Sequence, residues 1–405
     1  MTVLFLTHRL PYAPNRGDRV RAYFLLRYLR ARANVHLVSL VHDAAEAARV
    51  SELSPLVSSV HTAAVPRWRN LARSLGALPS ARPTTHTMLD SPALDRAIDS
   101  AVRTARPDVV VAYCSGMARC ALRAPLSAFP LVLDMVDVDS AKWRDLGRIT
   151  RPPLGWIYRR EARVLGAFEG LAAARASVTM VVTPRERDTL RAMAPTAHIE
   201  VVPNGVDLEA LRPKTPPSAT PNVVFCGVMN YAPNAHAATW LARDVWPLVR
   251  ARRPDATLTL VGSEPTAAVV ALASSDLGIV VTGAVPDVRP YLWNAAIAAA
   301  PIVTARGIQN KVLEAVAAGL PTVVTPNIAE ALPRQILPAI TSAAGTEAIA
   351  ASIVDLLNQS PDTRRAIAGR ADIDALTWER QLEPVERLLR DAVANGRSPD
   401  GRGTP

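Results

Sequence analysis

Two side chains in the run 305–321 are spaced for chemistry, Lys311 and Glu314. Three residues apart, they share one face of a predicted helix; Val312, Leu313 and Val316 form the apolar face and Gly319 supplies a stop. A lysine in the first turn opposes the helix macrodipole, which favours an anion there. It makes better sense if a diphosphate binds at that helix start, held by backbone N–H groups and the ammonium together. A carboxylate one turn further in can accept two ribose hydroxyls, each such hydrogen bond worth roughly 1.5–3 kcal/mol. The same spacing equally describes a solvated Lys–Glu pair worth a few tenths of a kcal/mol.

A second cluster opens the chain, where Arg9, Arg16, Arg19 and Arg21 crowd around Gly17. Gly17 follows a predicted strand and opens a helix that Asp18 can cap; it either lets a phosphate approach the backbone or makes an ordinary turn. The arginines favour an anion nearby. Asp137-Val138-Asp139 invites a divalent cation, since hard carboxylate oxygens suit magnesium or manganese. Lys142 and Arg144 beside it count against a cation, so no metal is expected, and a capped helix start explains the same residues. Thr282 to Val288 holds a glycine turn between a strand and a helix. HExxH, GxGxxG and P-loop spacings are absent, and no Ser-His-Asp or Cys-His set can be argued.

Short apolar runs at 3–7, 35–41, 108–113, 131–134 and 178–183 alternate with helical stretches to position these groups, and the plan repeats from 223 to 324. Continuous apolar strands separated by helices predict parallel sheets in two doubly wound halves. The proline-rich stretch 203–221 separates them, and residues 396–405 read as a disordered tail. The chain is 49% apolar and 20% charged, enough to bury a core and too apolar for disorder. Three cysteines without a CxxC pair exclude a disulfide scaffold and fit a reducing compartment. With no secretory signal and no apolar run of about 18 residues, a cytoplasmic protein is expected. The net charge of +10 falls entirely in residues 1–203, which hold 28 Lys+Arg against 17 Asp+Glu. Such asymmetry suggests an anionic membrane face; nucleic acid, which would need a basic–aromatic motif, is not expected. The stretch 159–168 carries basic and apolar residues at helical spacing, suiting either that membrane face or a solvated helix with a core stripe.

Residues 307–314 resemble the nucleotide-sugar signature of glycosyltransferase family 4, and Val202 to Asp207 resembles that family's interdomain junction. With residues 7–18, 137–143 and 227–234, they look most similar to the exopolysaccharide sugar transferases that accompany bacterial exosortase (PEP-CTERM) systems. The resemblance implies an α/β chain of GT-B fold, two Rossmann-like domains facing a cleft, and a retaining, metal-independent transferase without a cofactor. It divides the chain into an acceptor-side domain (1–203), a nucleotide-sugar domain (204–377), a helix crossing back (378–395) and a tail (396–405). The donor, a nucleotide diphosphate-sugar, is then expected at Gly17, Gly227, Asn230, Gly283, Val285, Arg306, Gly307, Ile308, Gln309, Asn310, Lys311 and Glu314. Arg9, Arg16, Asp137, Asp139 and Lys142 fall on the side of a saccharide or lipid-linked acceptor. Three departures stand out: Arg306 replaces the first of two glutamates, Met229-Asn230-Tyr231 replaces an Arg and Lys, and the N-terminal glycine loop is reduced to Gly17. A nucleotide-sugar 2-epimerase and a non-catalytic scaffold of the same fold are the alternatives.

Overall fold

Runs of valine, leucine and alanine without charge bury on both faces, and the structure, a computed structural model, makes them the centres of two parallel sheets. It describes residues 1–12, 17–303 and 308–396. The first sheet contains β1 (Thr2–Thr7), β2 (Asn34–Val41), β3 (Ser59–Ala64), β4 (Val109–Tyr113), β5 (Leu131–Val136), β6 (Val178–Val181) and β7 (Ile199–Val201), in the order β3-β2-β1-β4-β5-β6-β7. The second contains β8 (Asn222–Cys226), β9 (Thr257–Val261), β10 (Ile279–Val281), β11 (Ile297–Ala300), β12 (Thr322–Val324) and β13 (Ile340–Ser342), in the order β10-β9-β8-β11-β12-β13. Strand order reverses between β1 and β4 in one sheet and between β8 and β11 in the other. In open α/β sheets, ligands bind outside the carboxyl ends of strands at such switch points.

The chain forms two compact units, one of residues 1–203 with the segment from Gln381 onward, the other of residues 204–380. Trp378 is buried in the second unit, its N–H reaching the Val206 carbonyl at 3.4 Å. Helix Glu383–Gly396 belongs to the first unit, burying Val385, Leu388 and Leu389 and pairing Glu386 with Arg32 at 3.3 Å.

The edge strands β3, β7 and β13 have no counterpart in the apolar runs of the sequence. Each is half solvated, so mixed residues such as Ser59-Val60-His61-Thr62 suffice to pair with one neighbour. Residues 232–252 do not form one regular helix. Ala232–Trp240 and Trp246–Arg252 flank a π-turn, Leu241–Val245. Pro247 has no N–H for the regular ladder, and the wide turn precedes it.

Candidate active site

In the second unit, the ends of β8 and β9 touch backbone to backbone. The Gly227 N–H donates to the Val261 carbonyl at 2.9 Å, and a Cβ on Gly262 would stand 1.6 Å from the Gly227 oxygen. A Cβ on Gly227 would meet Asn234 Nδ2 at 2.7 Å and Lys311 Nζ at 3.1 Å, so glycine lets these two side chains close over the backbone. Asn234, buried in the first turn of helix Ala232–Trp240, donates to the Val228 carbonyl at 2.9 Å. Its Oδ1 accepts from Lys311 Nζ at 2.5 Å, and the ammonium stands 5.2 Å from the centre of the Phe225 ring.

Lys311 reaches this point from helix Asn310–Ala317, which follows β11 at the switch point. The helix buries Val312, Leu313, Ala315, Val316 and Ala317, and leaves Asn310, Lys311 and Glu314 half-buried on the other side. No Gln309 side chain caps its start, and with the Val312 N–H on the Gln309 carbonyl at 2.9 Å, the Asn310 and Lys311 N–H groups remain for another acceptor. Gly319, at φ +79°, ends it, and the Leu320 N–H closes back onto the Ala315 carbonyl at 3.0 Å.

Withdrawal from water shifts every titrating group here toward its neutral form. Lys311 falls to about 8, with Cys226 and Glu314 opposing the shift. Glu314 is raised by burial against the pull of Lys311, and the Cys226 thiol is pushed up to about 12 by burial and by Glu314. Among the described residues Lys311 and Glu314 form no ion pair with each other, and the Glu314 carboxylate accepts no hydrogen bond.

The remaining donor-side candidates separate. Asn310 Oδ1 accepts from Asn204 at 3.3 Å, while Ile308 and Val285 pack on the hydrophobic core. Gly283 sits at φ +69° with open space where a Cβ would be, so backbone conformation rather than crowding requires glycine. Asn230 is exposed and donates to Glu264, whereas the amide that meets Lys311 is Asn234, four residues on. Asn234 lies in the 227–234 motif, yet nothing in the sequence separates its role from that of Asn230. Arg16, Arg306 and Gly307 lie outside the described residues.

In the first unit, helix Gly17–Arg30 follows the switch-point strand β1. The arginines near it face anions of the chain itself. Arg21 meets the fully buried Asp134 at 2.8 Å and donates to the Pro203 carbonyl at 3.2 Å. Arg19 and Arg9 stand 3.2 and 3.9 Å from the buried Glu46, which also accepts from the Leu10 and His42 N–H groups. Carboxylates distant in sequence thus lie within 3.9 Å of all three side chains.

At the end of β5 the backbone is strained: its last residue, Val136, has φ +67°, and Cys114, after the neighbouring β4, has φ +64°. Helix Asp139–Ile149 begins there, with the Val138 N–H on Glu186 at 2.7 Å and the Ser140 N–H on Glu169 at 3.3 Å. Burial, helped by the Asp139 charge and opposed by the hydrogen bonds from Ser140, pushes Glu169 up to about 8. Asp137 reaches solvent, yet the crowding protein, Glu186 and Asp139 push it up to about 7 against Lys142 and Arg21. Asp139 is raised by burial and lowered by Lys142. Asp137, Asp139 and Lys142 thus share one electrostatic environment at the carboxyl end of β5. Glu169 and Glu186, which support it from beneath, carry no local sequence signal. Among the described residues no three His, Cys, Asp or Glu side chains are grouped to hold a metal ion.

Two family models match the chain: a glycosyl transferase 4-like domain over residues 16–205 and glycosyl transferases group 1 over residues 220–359. No curated protein sequence matches it. Among solved structures, sucrose-phosphate synthase from Thermosynechococcus elongatus is 16% identical with a TM-score of 0.68, covering 98% of this chain and 100% of that one. HepE from Anabaena, solved with UDP, is 15% identical with a TM-score of 0.63, covering 96% and 100%. WaaG, a glycosyltransferase involved in lipopolysaccharide biosynthesis, is 17% identical with a TM-score of 0.59, covering 97% and 98%. These likenesses show the fold, two parallel-sheet α/β domains that match structures of the GT-B fold.

Proposed function

We propose that this chain, a glycosyltransferase of the GT-B fold, is a retaining, metal-independent hexosyltransferase that moves a sugar from a nucleoside diphosphate to a saccharide or lipid-linked acceptor in polysaccharide assembly. One observation carries the reading: Lys311 Nζ is held 2.5 Å from Asn234 Oδ1 over the backbone of Gly227, with Glu314 on the same helix face. The ammonium and the uncapped N–H groups of helix Asn310–Ala317 bind the diphosphate and stabilise the charge it gains as it departs. Glu314, whose carboxylate oxygens have no partner among the described residues, accepts the ribose hydroxyls. Asp137, Asp139 and Lys142 lie on the acceptor side and orient the incoming hydroxyl. HepE, of the same fold, is solved with UDP-glucose as well as UDP, which supports a nucleotide-sugar donor here. The motifs shared with the exosortase-associated transferases favour exopolysaccharide as the product, and three unpaired cysteines fit a cytoplasmic site of action.

Calorimetry with UDP, GDP and ADP and their sugars tests the reading. Binding of one diphosphate, lost in Lys311→Ala and in Glu314→Ala with the fold intact, is expected, and the anomeric configuration of the product by NMR tests retention. A chain that binds none of the three overturns the donor site.

A further inference from the structure

Helix Arg67–Gly76 is inside out. The residues it buries are polar, Asn70 and Ser74, and Asn70 Nδ2 donates to the carbonyls of Met88 at 3.1 Å and Asp90 at 2.7 Å. The side chains it presents to solvent are Trp68 at 85% exposure, Leu75 at 63% and Leu71 at 46%. They recur at i, i+3 and i+7, the stripe that an ordinary surface helix turns toward its core. Arg67, Arg69 and Arg73 flank the stripe, and the helix carries no acid. Among the described residues Arg67 and Arg69 have no hydrogen bond or ion pair. Arg73 shares Asp90 with Arg82 and Arg119, at 3.5, 2.7 and 2.5 Å, so three guanidinium groups face one carboxylate.

A second exposed apolar patch adjoins the first. Arg160 donates to the carbonyls of Ala77 at 3.0 Å and Arg82 at 2.8 Å, tying helix Leu154–Arg175 to the chain that leaves helix Arg67–Gly76. Near the start of that longer helix, Ile149, Leu154 and Trp156 are 78, 45 and 62% exposed, with Arg148 and Arg151 between and before them.

We propose that the outward face of helix Arg67–Gly76, continued by Ile149, Leu154 and Trp156, docks the first unit onto an anionic phospholipid bilayer. Trp68, Leu71 and Leu75 enter the interface between headgroups and acyl chains, and the arginines engage lipid phosphates. An amphipathic helix with an indole and arginines at its border lies in the membrane plane. Among the described residues no helix is long and apolar enough to cross a membrane, so the contact is one of surface, not span. Charge selects the occupant: a second copy laid on this face would set arginines against arginines, whereas anionic headgroups complement them. The stretch 159–168 is not the contact itself. Its helix turns Glu161, Ala162, Leu165 and Gly166 inward.

This docking is independent of the donor-site reading, and flotation of the full chain with vesicles tests it. Vesicles containing about 30 mol% phosphatidylglycerol should bind wild type about tenfold or more better than phosphatidylcholine alone. The W68S/L71S/L75S variant, altered only at exposed positions, should lose about tenfold or more of that binding while keeping its thermal midpoint and UDP affinity. R67Q/R69Q should weaken binding about fivefold per arginine at low salt. Three results would overturn the proposal. They are no preference for anionic vesicles, wild-type binding by W68S/L71S/L75S, or a concentration-dependent dimer in sedimentation that this variant dissolves.

Discussion

In the first unit, several buried carboxylates pair with arginines. Arg21 and Asp134 meet at 2.8 Å with no access to water, and Glu46 and Glu161 each accept hydrogen bonds from backbone N–H groups as well as from an arginine. At the switch point of the second sheet, Lys311 and Glu314 share one helix face without pairing, and the protein around them opposes both charges. The same ingredients therefore serve different ends. A buried charge paired with its opposite fixes the fold, because removing either partner leaves the other buried and uncompensated. An unpaired charge that its surroundings oppose gains most when a ligand of opposite sign arrives.

The largest effect expected from this contrast is on stability. Asp134→Asn leaves the Arg21 guanidinium buried without its counter-charge and should cost about 3–5 kcal/mol in urea unfolding. The protein that remains folded should bind UDP as wild type does. An unchanged unfolding midpoint would erase the distinction drawn between the two regions. Lys311→Ala should behave in the opposite way: turnover falls about 10²–10³-fold, in line with loss of one preorganised stabiliser of transition-state charge. Its thermal midpoint should hold or rise, since the variant no longer keeps a half-buried ammonium from water. A variant that unfolds as readily as Asp134→Asn would make Lys311 structural.

Gly227→Ala sharpens the geometry with a smaller effect. The added methyl would lie 2.7 Å from Asn234 Nδ2 and 3.1 Å from Lys311 Nζ, too close for both to keep their places. The lysine, being the flexible partner, should yield, weakening UDP binding by about tenfold, roughly 1.4 kcal/mol, in calorimetry. Wild-type affinity would show that the corner at Gly227 does not hold the diphosphate.

How much of this was readable in the sequence follows from the range of each interaction. Helix Asn310–Ala317, its apolar face and its glycine stop are local, and a 3.6-residue period displays them; the central strands announce themselves as uninterrupted apolar runs. Edge strands satisfy only one neighbour and half a core, so β3, β7 and β13 leave little pattern. That Arg19 meets Glu46 and Arg21 meets Asp134 is not legible near Gly17, because both carboxylates are remote in sequence. Asn234 and Asn230 were indistinguishable for a related reason. Which of two amides in one loop meets Lys311 depends on where β11 delivers the next helix, a long-range fact. The outward stripe of helix Arg67–Gly76 has the periodicity of a buried one, and only the burial of Asn70 and Ser74 shows which side faces in.

The smallest expected effect is also the one most specific to Lys311. Its pKa of about 8 against an ordinary 10.5 means that the empty folded state gives up a proton that the unfolded chain keeps. Between those values the unfolded state binds more protons, so this lysine's contribution to stability rises with pH from about 8 to about 10.5. A bound diphosphate reverses the balance, because its charge favours the ammonium and draws the proton back. UDP affinity should therefore fall as pH climbs through 8, approaching tenfold per pH unit above it, while unfolding midpoints with and without UDP converge over the same interval. Lys311→Arg, charged throughout this range, should bind UDP with little change between pH 7 and about 9.5. A wild-type affinity equally flat with pH would mean that another group neutralises the diphosphate, and the unpaired Lys311 would then contribute to this region only as packing above Phe225.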